Sequence, residues 1–188
     1  MRMAAKLYLP VLAVAALAMA GGCETNSPNS PAANTNLNGR TQTALQQMTA
    51  QDPHLQDMLN NSVGYVIFSD MGSAAVGIGG ASGEGVLYQN GQQVGTVKVG
   101  QVSVGPQVGG ESYSELIVFQ NENSLNRLKN NSLEFGAEAN ATIIKAGADA
   151  STQFSNGMAI FVLPKGGLMA GANINGQKFT YYGGTQGQ

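Results

Sequence analysis

Apolar and polar positions alternate with a period of two through the middle of the chain. After the apolar run from Tyr65 to Phe68, small residues alternate with β-branched ones as far as Pro106, and from Val94 to Gly105 successive side chains leave opposite faces of a strand. Asn90-Gly91 lies between two such runs. Both central positions of a type I′ turn require positive φ, so this dipeptide predicts an antiparallel hairpin. Before this stretch the rhythm is helical: Leu45 and Met48 stand three apart, and Leu55, Met58 and Leu59 fall at i, i+3, i+4. Asp52-Pro53 divides the segment, aspartate suiting an N-cap and proline a first turn, so two short amphipathic helices are predicted over 41–61. Such helices serve either as a membrane-surface element or as a lid on the sheet. Membrane-surface helices carry Lys and Arg on the polar face, whereas this segment has Arg40 at its edge and then Gln, Asn and two aspartates, which favours the lid.

Beyond the central stretch the pattern predicts a strand over 108–120 and a short helix over 121–130 that holds Leu125 and Leu128. Leu133 to Ile144 alternates again, with Phe135, Ala137, Ala139, Ala141 and Ile143 on one face, as in a half-buried strand. Residues 146–156 read as a loop. Met158 to Leu163 is a continuous apolar run that ends in a turn at Pro164-Lys165-Gly166-Gly167. A second hairpin is predicted across Asn175-Gly176, pairing 168–173 with 177–182, and the tail from Gly183 is expected to fray. Gly64-Tyr-Val-Ile-Phe and Gly157-Met-Ala-Ile-Phe echo one another, which suggests two equivalent hairpins closing one sheet or a coincidence. The predicted class is α+β: a strongly coiled, barrel-like antiparallel sheet with two or three short helices, its alternating glycines permitting sharp coiling.

The first residues decide the compartment. Arg2 and Lys6 precede a fourteen-residue apolar stretch, Leu7 to Ala20, too short to span roughly 30 Å of hydrocarbon as a permanent helix. This is an export signal, residues 1–22. Ala20, Gly21 and Gly22 precede Cys23, the single cysteine, in an arrangement that resembles a bacterial lipobox, whose cysteine is acylated and becomes the new N-terminus. Ala18-Met19-Ala20 also suits an ordinary signal peptidase cutting before Gly21, which would leave a soluble periplasmic protein; the lipoprotein reading is favoured because a lone exposed thiol is a liability in an oxidising compartment. Two or three acyl chains on Cys23 would anchor the chain stably. Glu24, not aspartate, follows, so by resemblance to the Gram-negative sorting rule the outer membrane, facing the periplasm, is the expected destination. Residues 23–40 hold almost nothing apolar and read as a flexible tether, 41–182 as the domain, and 183–188 as a disordered tail.

Composition removes several function classes. The 188 residues include 26 glycines and only 11% charged side chains, against about a quarter in ordinary globular chains. One cysteine excludes an internal disulfide, and one histidine, His54, excludes most histidine-based metal sites. No nucleophile-base pair is apparent, so no catalytic residue, metal or cofactor is expected. The glycines at 77–83 fail as a dinucleotide loop: position 82 is serine, and no helix follows. Acidic residues at Asp70, Glu84, Glu111, Glu115, Glu134, Glu138 and Asp149 are scattered and read as solvated strand faces. Loss of residues 1–22 removes Arg2 and Lys6, leaving 7 basic against 11 acidic residues and a net charge of −4, without the basic footprint that nucleic acid requires.

Several clusters occur together: Gly64-Tyr65-Val66-Ile67-Phe68, Gly77-Ile78-Gly79-Gly80 with Gly83-Glu84-Gly85-Val86, Gly105 to Gly110 with Tyr113-Ser114-Glu115-Leu116-Ile117, Asn156 to Met169, and Asn175-Gly176-Gln177-Lys178-Phe179. In this combination the run from Gly64 to Tyr182 resembles a bacterial member of the SYLF-domain family of lipid-binding proteins. The resemblance implies binding of membrane lipids, phosphoinositides in eukaryotic members, through a basic or amphipathic N-terminal element, sometimes with actin binding beside it. The chain departs at that element, for 41–61 hold no lysine or arginine, and a bacterial envelope offers no actin.

Two functions are therefore expected to compete. The first is a non-enzymatic lipid-binding or membrane-binding module displayed as an envelope lipoprotein, its phospholipid class open, with Lys98 and Lys165 as candidate headgroup partners and a cleft lined by Tyr65, Phe68, Phe161 or Tyr181. The second is a structural lipoprotein whose sheet docks an envelope protein and holds no lipid. An apolar cleft favours the first, a flat polar sheet with an exposed edge the second.

Overall fold

A computed structural model describes residues 31–76, 78–103, 112–136, 139, 142–144, 154–166 and 174–184; Cys23 and the export signal lie outside them. Two helices, α1 (Pro31–Gln51) and α2 (His54–Asn60), precede three long strands, β1 (Gly64–Val76), β2 (Ile78–Gln89) and β3 (Gln92–Ser103). Strand β4 (Ser112–Phe119) and helix α3 (Glu122–Lys129) follow, then β5 (Thr142–Ile143), β6 (Met158–Pro164) and β7 (Gln177–Gly183). The seven strands form one sheet in the order β5-β6-β4-β1-β2-β3-β7, antiparallel throughout except for the parallel pair β5 and β6. The α+β class and the antiparallel centre match the sequence pattern.

The centre of the sheet, at β1, β4 and β6, is buried on both faces. On one face Ile67, Leu116, Val118, Phe161 and Leu163 pack beneath Ala44 and Met48 of α1 and Leu55 and Leu59 of α2. The two helices are thus a lid on the sheet. On the other face Val66, Phe68, Ile117, Phe119 and Val162 meet Leu125 and Leu128 of α3 together with Leu133, Phe135 and Phe179. Each strand sends alternate residues to the two layers, so the central strands read as almost continuous apolar runs.

The second layer closes because the sheet curls. Strands β1 and β7 are separated by β2 and β3, roughly 14 Å of flat sheet, yet the rings of Phe68 and Phe179 lie 6.1 Å apart. Curling stops short of closure, and the barrel-like expectation is not met. Backbone of 133–135 takes the free edge of β7 instead: Phe135 N–H donates to Gln177 O at 3.0 Å, and Gly176 N–H to Phe135 O at 2.8 Å. Among the described residues β5 and β7 do not pair, so the sheet keeps two edges.

Turn chemistry is placed where the dipeptides put it. Asn90 and Gly91 have φ of 52° and 75°, the paired positive values of a type I′ hairpin. Gly176 is also left-handed at 77°, but the 168–173 partner predicted for its hairpin lies outside the described residues. A further Asn-Gly turn was not predicted: Asn156 and Gly157, φ 52° and 75°, join Ser155 to Met158. A Cβ on Gly157 would also collide with the Asn121 amide, whose Oδ1 caps α3 by accepting from Ser124 N at 3.0 Å. Gly157→Ala is expected to cost about 1–3 kcal/mol by combining left-handed strain with a displaced cap, read as a lower urea midpoint.

Two further expectations are corrected. Among the described residues of the half-buried strand expected over 133–144, pairing consists of a single bridge, Glu134 to Lys178, and the two residues of β5. Helix α1 begins ten residues earlier than the sequence pattern implied, and Leu37, inside the expected tether, is only 2% exposed. Leu37, Thr41, Ala44 and Met48 form its buried stripe.

Candidate functional site

A concavity runs between α1 and the turn after β6. It encloses about 870 Å³ and is lined on one side by Asn36, Arg40, Ala44 and Gln47, on the other by Ser69, Asp70, Leu163 and Lys165. Helical spacing puts Arg40, Ala44 and Gln47 on one strip of α1, across the groove from Ser69 and Asp70 in the middle of β1. A register shift in β1 between Phe68 and Met71 brings Asp70 out to the rim. There Lys165 Nζ meets Asp70 Oδ1 at 3.1 Å, and Ser112 Oγ donates to the same oxygen at 3.0 Å. Burial alone would raise the Asp70 carboxyl; the hydrogen bonds from Lys165 and Ser112, with the charges of Lys165 and Arg40, hold it below its ordinary value. Two cations thus share one wall-to-wall groove with a single carboxylate. Because the Lys165–Asp70 pair is largely exposed, its partners can be exchanged at small cost.

The residues expected to line a lipid cleft do not converge. Phe68 and Phe161 are both fully buried, in different layers of the core. Leu116 explains why: it pairs with Ile67 on one side and Phe161 on the other, so the two echoing strands are offset by one residue and their phenylalanines point to opposite faces. Neither lines the groove at α1 or the one beside Tyr65, and full burial corrects their assignment as cleft residues. Tyr65 is half-buried and stacks on Tyr88 at 5.0 Å with 17° between the rings. Burial first, then Tyr88, raises its phenol. It lines a separate, smaller groove of about 320 Å³ beside Leu45, Leu59 and the Asn90-Gly91 turn. Lys98 stands on the outer face of β3, opposite Glu84, with its ammonium 5.4 Å from the Tyr182 ring. Tyr181 packs against the inner core and gives its hydroxyl to Val94 O at 2.8 Å.

Of the six candidates, only Lys165 lines the groove at α1. Arg40 and Asp70 were missed. The sequence pattern places Arg40 in the tether and Asp70 on a solvated face; the spacing of Leu37, Thr41 and Ala44 carries the signal for the helix that positions Arg40.

A second polar cluster lies inside the curl. Glu115, expected on a solvated strand face, is 0% exposed, and its Oε2 accepts from Gln177 Nε2 at 2.9 Å. Burial pushes its carboxyl up to about 7 against the opposing effect of the Gln177 hydrogen bond.

Residues 100–183 match the family model Ysc84, described as Las17-binding protein actin regulator. Over that span the chain is similar to the Ysc84 (SYLF) domain. The match takes in the end of β3 and all of β4, α3, β5, β6 and β7, hence Lys165 and Glu115, while α1 and Arg40 lie before it. The chain is also 24% identical over 144 residues to Beta cell expansion factor A of Aeromonas veronii, an alignment that covers 76% of this chain and 55% of that protein. It thus spans about half the length of the curated relative it matches. No described helix is long and apolar enough to cross a membrane.

Proposed function

We propose that the chain is a non-enzymatic lipid-binding module, displayed on the envelope as a lipoprotein through Cys23, whose groove between α1 and the β6 turn receives an anionic lipid headgroup. One observation carries this reading: Arg40 and Lys165, 125 positions apart in sequence, line the same groove beside the apolar Ala44, Leu163 and Pro164. An anionic phosphate would compete with Asp70 for Lys165 and gain Arg40, while the first acyl carbons lie along the apolar wall. The rival reading, an envelope protein partner and no lipid, draws on the open outer face of β3 and β7, where Tyr182 is 44% exposed above Lys98.

Sedimentation with vesicles separates the two. The chain without residues 1–23 is mixed with phosphatidylcholine vesicles or with vesicles containing phosphatidylglycerol, at low and high salt. Binding to the anionic vesicles is expected, weakened on the order of tenfold by each of Arg40→Glu and Lys165→Glu, since a basic side chain near an anionic surface contributes about 1 kcal/mol and reversal doubles the change. Binding that is lost in salt supports the charged groove, and binding that survives salt shifts the weight to the apolar wall. Absence of binding to either vesicle sinks intrinsic lipid recognition and favours the protein partner.

A further inference from the structure

Glu115 and Gln177 stand on strands β4 and β7, which are separated by β1, β2 and β3. On a flat sheet their backbones would be roughly 19 Å apart. The curl brings their side chains into hydrogen-bond contact, Gln177 Nε2 to Glu115 Oε2, 2.9 Å. Gln101 on β3 fixes which end of the Gln177 amide is the nitrogen, because its own Oε1 lies 3.5 Å from the same Nε2 and its Nε2 is spent on Asn175 O at 3.2 Å. Two buried oxygens remain without a partner, Oε1 of Glu115 and Oε1 of Gln177. A buried acceptor left unpaired is costly. Both orphans belong to the same contacting pair, and one proton satisfies both.

We propose that Glu115 is a proton-operated clasp: in its neutral form Oε1–H donates to Gln177 Oε1 while Gln177 Nε2 donates to Glu115 Oε2, and this cyclic acid–amide pair holds β4 and β7 together across the curled sheet. Ionisation removes the only hydrogen between the two Oε1 atoms and sets a carboxylate oxygen against an amide oxygen in an apolar surround. The clasp is then half undone, and the curl is free to relax at its open end.

The surroundings make the proton the decisive charge. Across β1 and β6 Glu115 is flanked by Phe68 and Val162, on β3 by Gln101 and on β7 by Gln177. Tyr113, two residues earlier on the same face of β4, and Tyr181 on β7 are the titratable side chains that pack with this layer among the described residues. The ion pairs at this end, Lys165 with Asp70 and Lys178 with Glu134, sit in solvent. No described cation is placed to neutralise an ionised Glu115. The inference stands independently of lipid binding.

The sign of the pH effect follows. With the folded carboxyl raised to about 7 and the unfolded one near its ordinary value, the folded state keeps a proton that the unfolded state has released. Stability should therefore be highest at low pH as far as this group is concerned, fall as pH rises toward 7, and level off above it. In the full-length protein, carboxyl carbon NMR of 13C-labelled glutamate should show one resonance, absent in Glu115→Gln, that titrates with a midpoint of about 7. Glu115→Gln replaces the acid by an amide that keeps both hydrogen bonds at every pH. Its melting temperature should gain on the native chain by on the order of 10 °C between pH 4.5 and 7.5. A midpoint in the ordinary glutamate range, or parallel melting curves across pH, would overturn the clasp; should Glu115→Gln fail to fold, the midpoint of the native chain's buried resonance decides alone.

Discussion

Phe68→Ala and Phe161→Ala are each expected to lower the free energy of unfolding by about 3–5 kcal/mol, the range for emptying a fully buried phenylalanine site. Both side chains are 0% exposed. Phe68 is locked from two sides, by Phe179 at 6.1 Å and by close packing over β2, where a Cβ built on Gly85 would lie 2.6 Å from its ring. That spot cannot collapse cheaply, because the neighbouring backbone is already in contact. Phe161 belongs to the other layer, with Met48, Leu55 and Leu116. The two sites are separated by β4 and share no partner cluster, so their effects should add within about 0.5 kcal/mol. A chain with ordinary marginal stability would barely fold as the double alanine variant, so additivity is best measured by guanidinium unfolding of Phe68→Leu, Phe161→Leu and the pair. The leucine variants should still bind vesicles as the native chain does, because neither ring lines the groove of Arg40 and Lys165. Small losses from both alanine variants, or altered lipid binding by a folded leucine variant, would return these residues to the surface role first expected of them.

The same two residues show where sequence is legible and where it is not. Period-two alternation and the Asn90-Gly91 dipeptide are local signals. They set strand identity and hairpin register directly, and β1, β2 and β3 lie where the pattern puts them. Which face of a strand looks into which layer is a tertiary matter. The echo aligns Gly64 with Gly157, but pairing through β4 aligns Gly64 with Met158, and one residue of slip inverts a face. Glu115 was misplaced for a related reason. A carboxylate beside Ser114 reads as solvated when a strand is assumed to be half-exposed, yet β4 is buried on both sides, as the apolar Tyr113, Ile117 and Phe119 on its own face imply. The groove was the least visible part. Its two cations come from a helix and a turn that no local pattern connects, and of the two only Lys165 is a binding candidate from sequence.

The chain that begins at residue 41 should be less stable than the chain that begins at residue 31 by about 2–4 kcal/mol, and Leu37→Ala in the longer chain should reproduce most of that loss. Composition argued for a tether here, since residues 24–40 are nearly all small or polar. A single leucine overrides that reading because of its spacing. Leu37 precedes Thr41 by one turn, and Thr41 Oγ1 donates to Leu37 O at 3.0 Å, continuing the stripe that Ala44 and Met48 carry onto β1 and β4. Leu37 is buried to 2% exposure and so contributes far more than its polar neighbours, whose helix propensity is poor. Removing residues 31–40 also strips Asn36 and Arg40 from the groove wall, leaving Lys165 as its one cation among the described lining residues. The shortened chain should therefore lose affinity for anionic vesicles to about the extent of Arg40→Glu or further, while Leu37→Ala, which keeps Arg40, should lose stability first. Equal melting temperatures for the two chain lengths would make 31–40 a tether after all, and equal vesicle binding would remove α1 from the headgroup site.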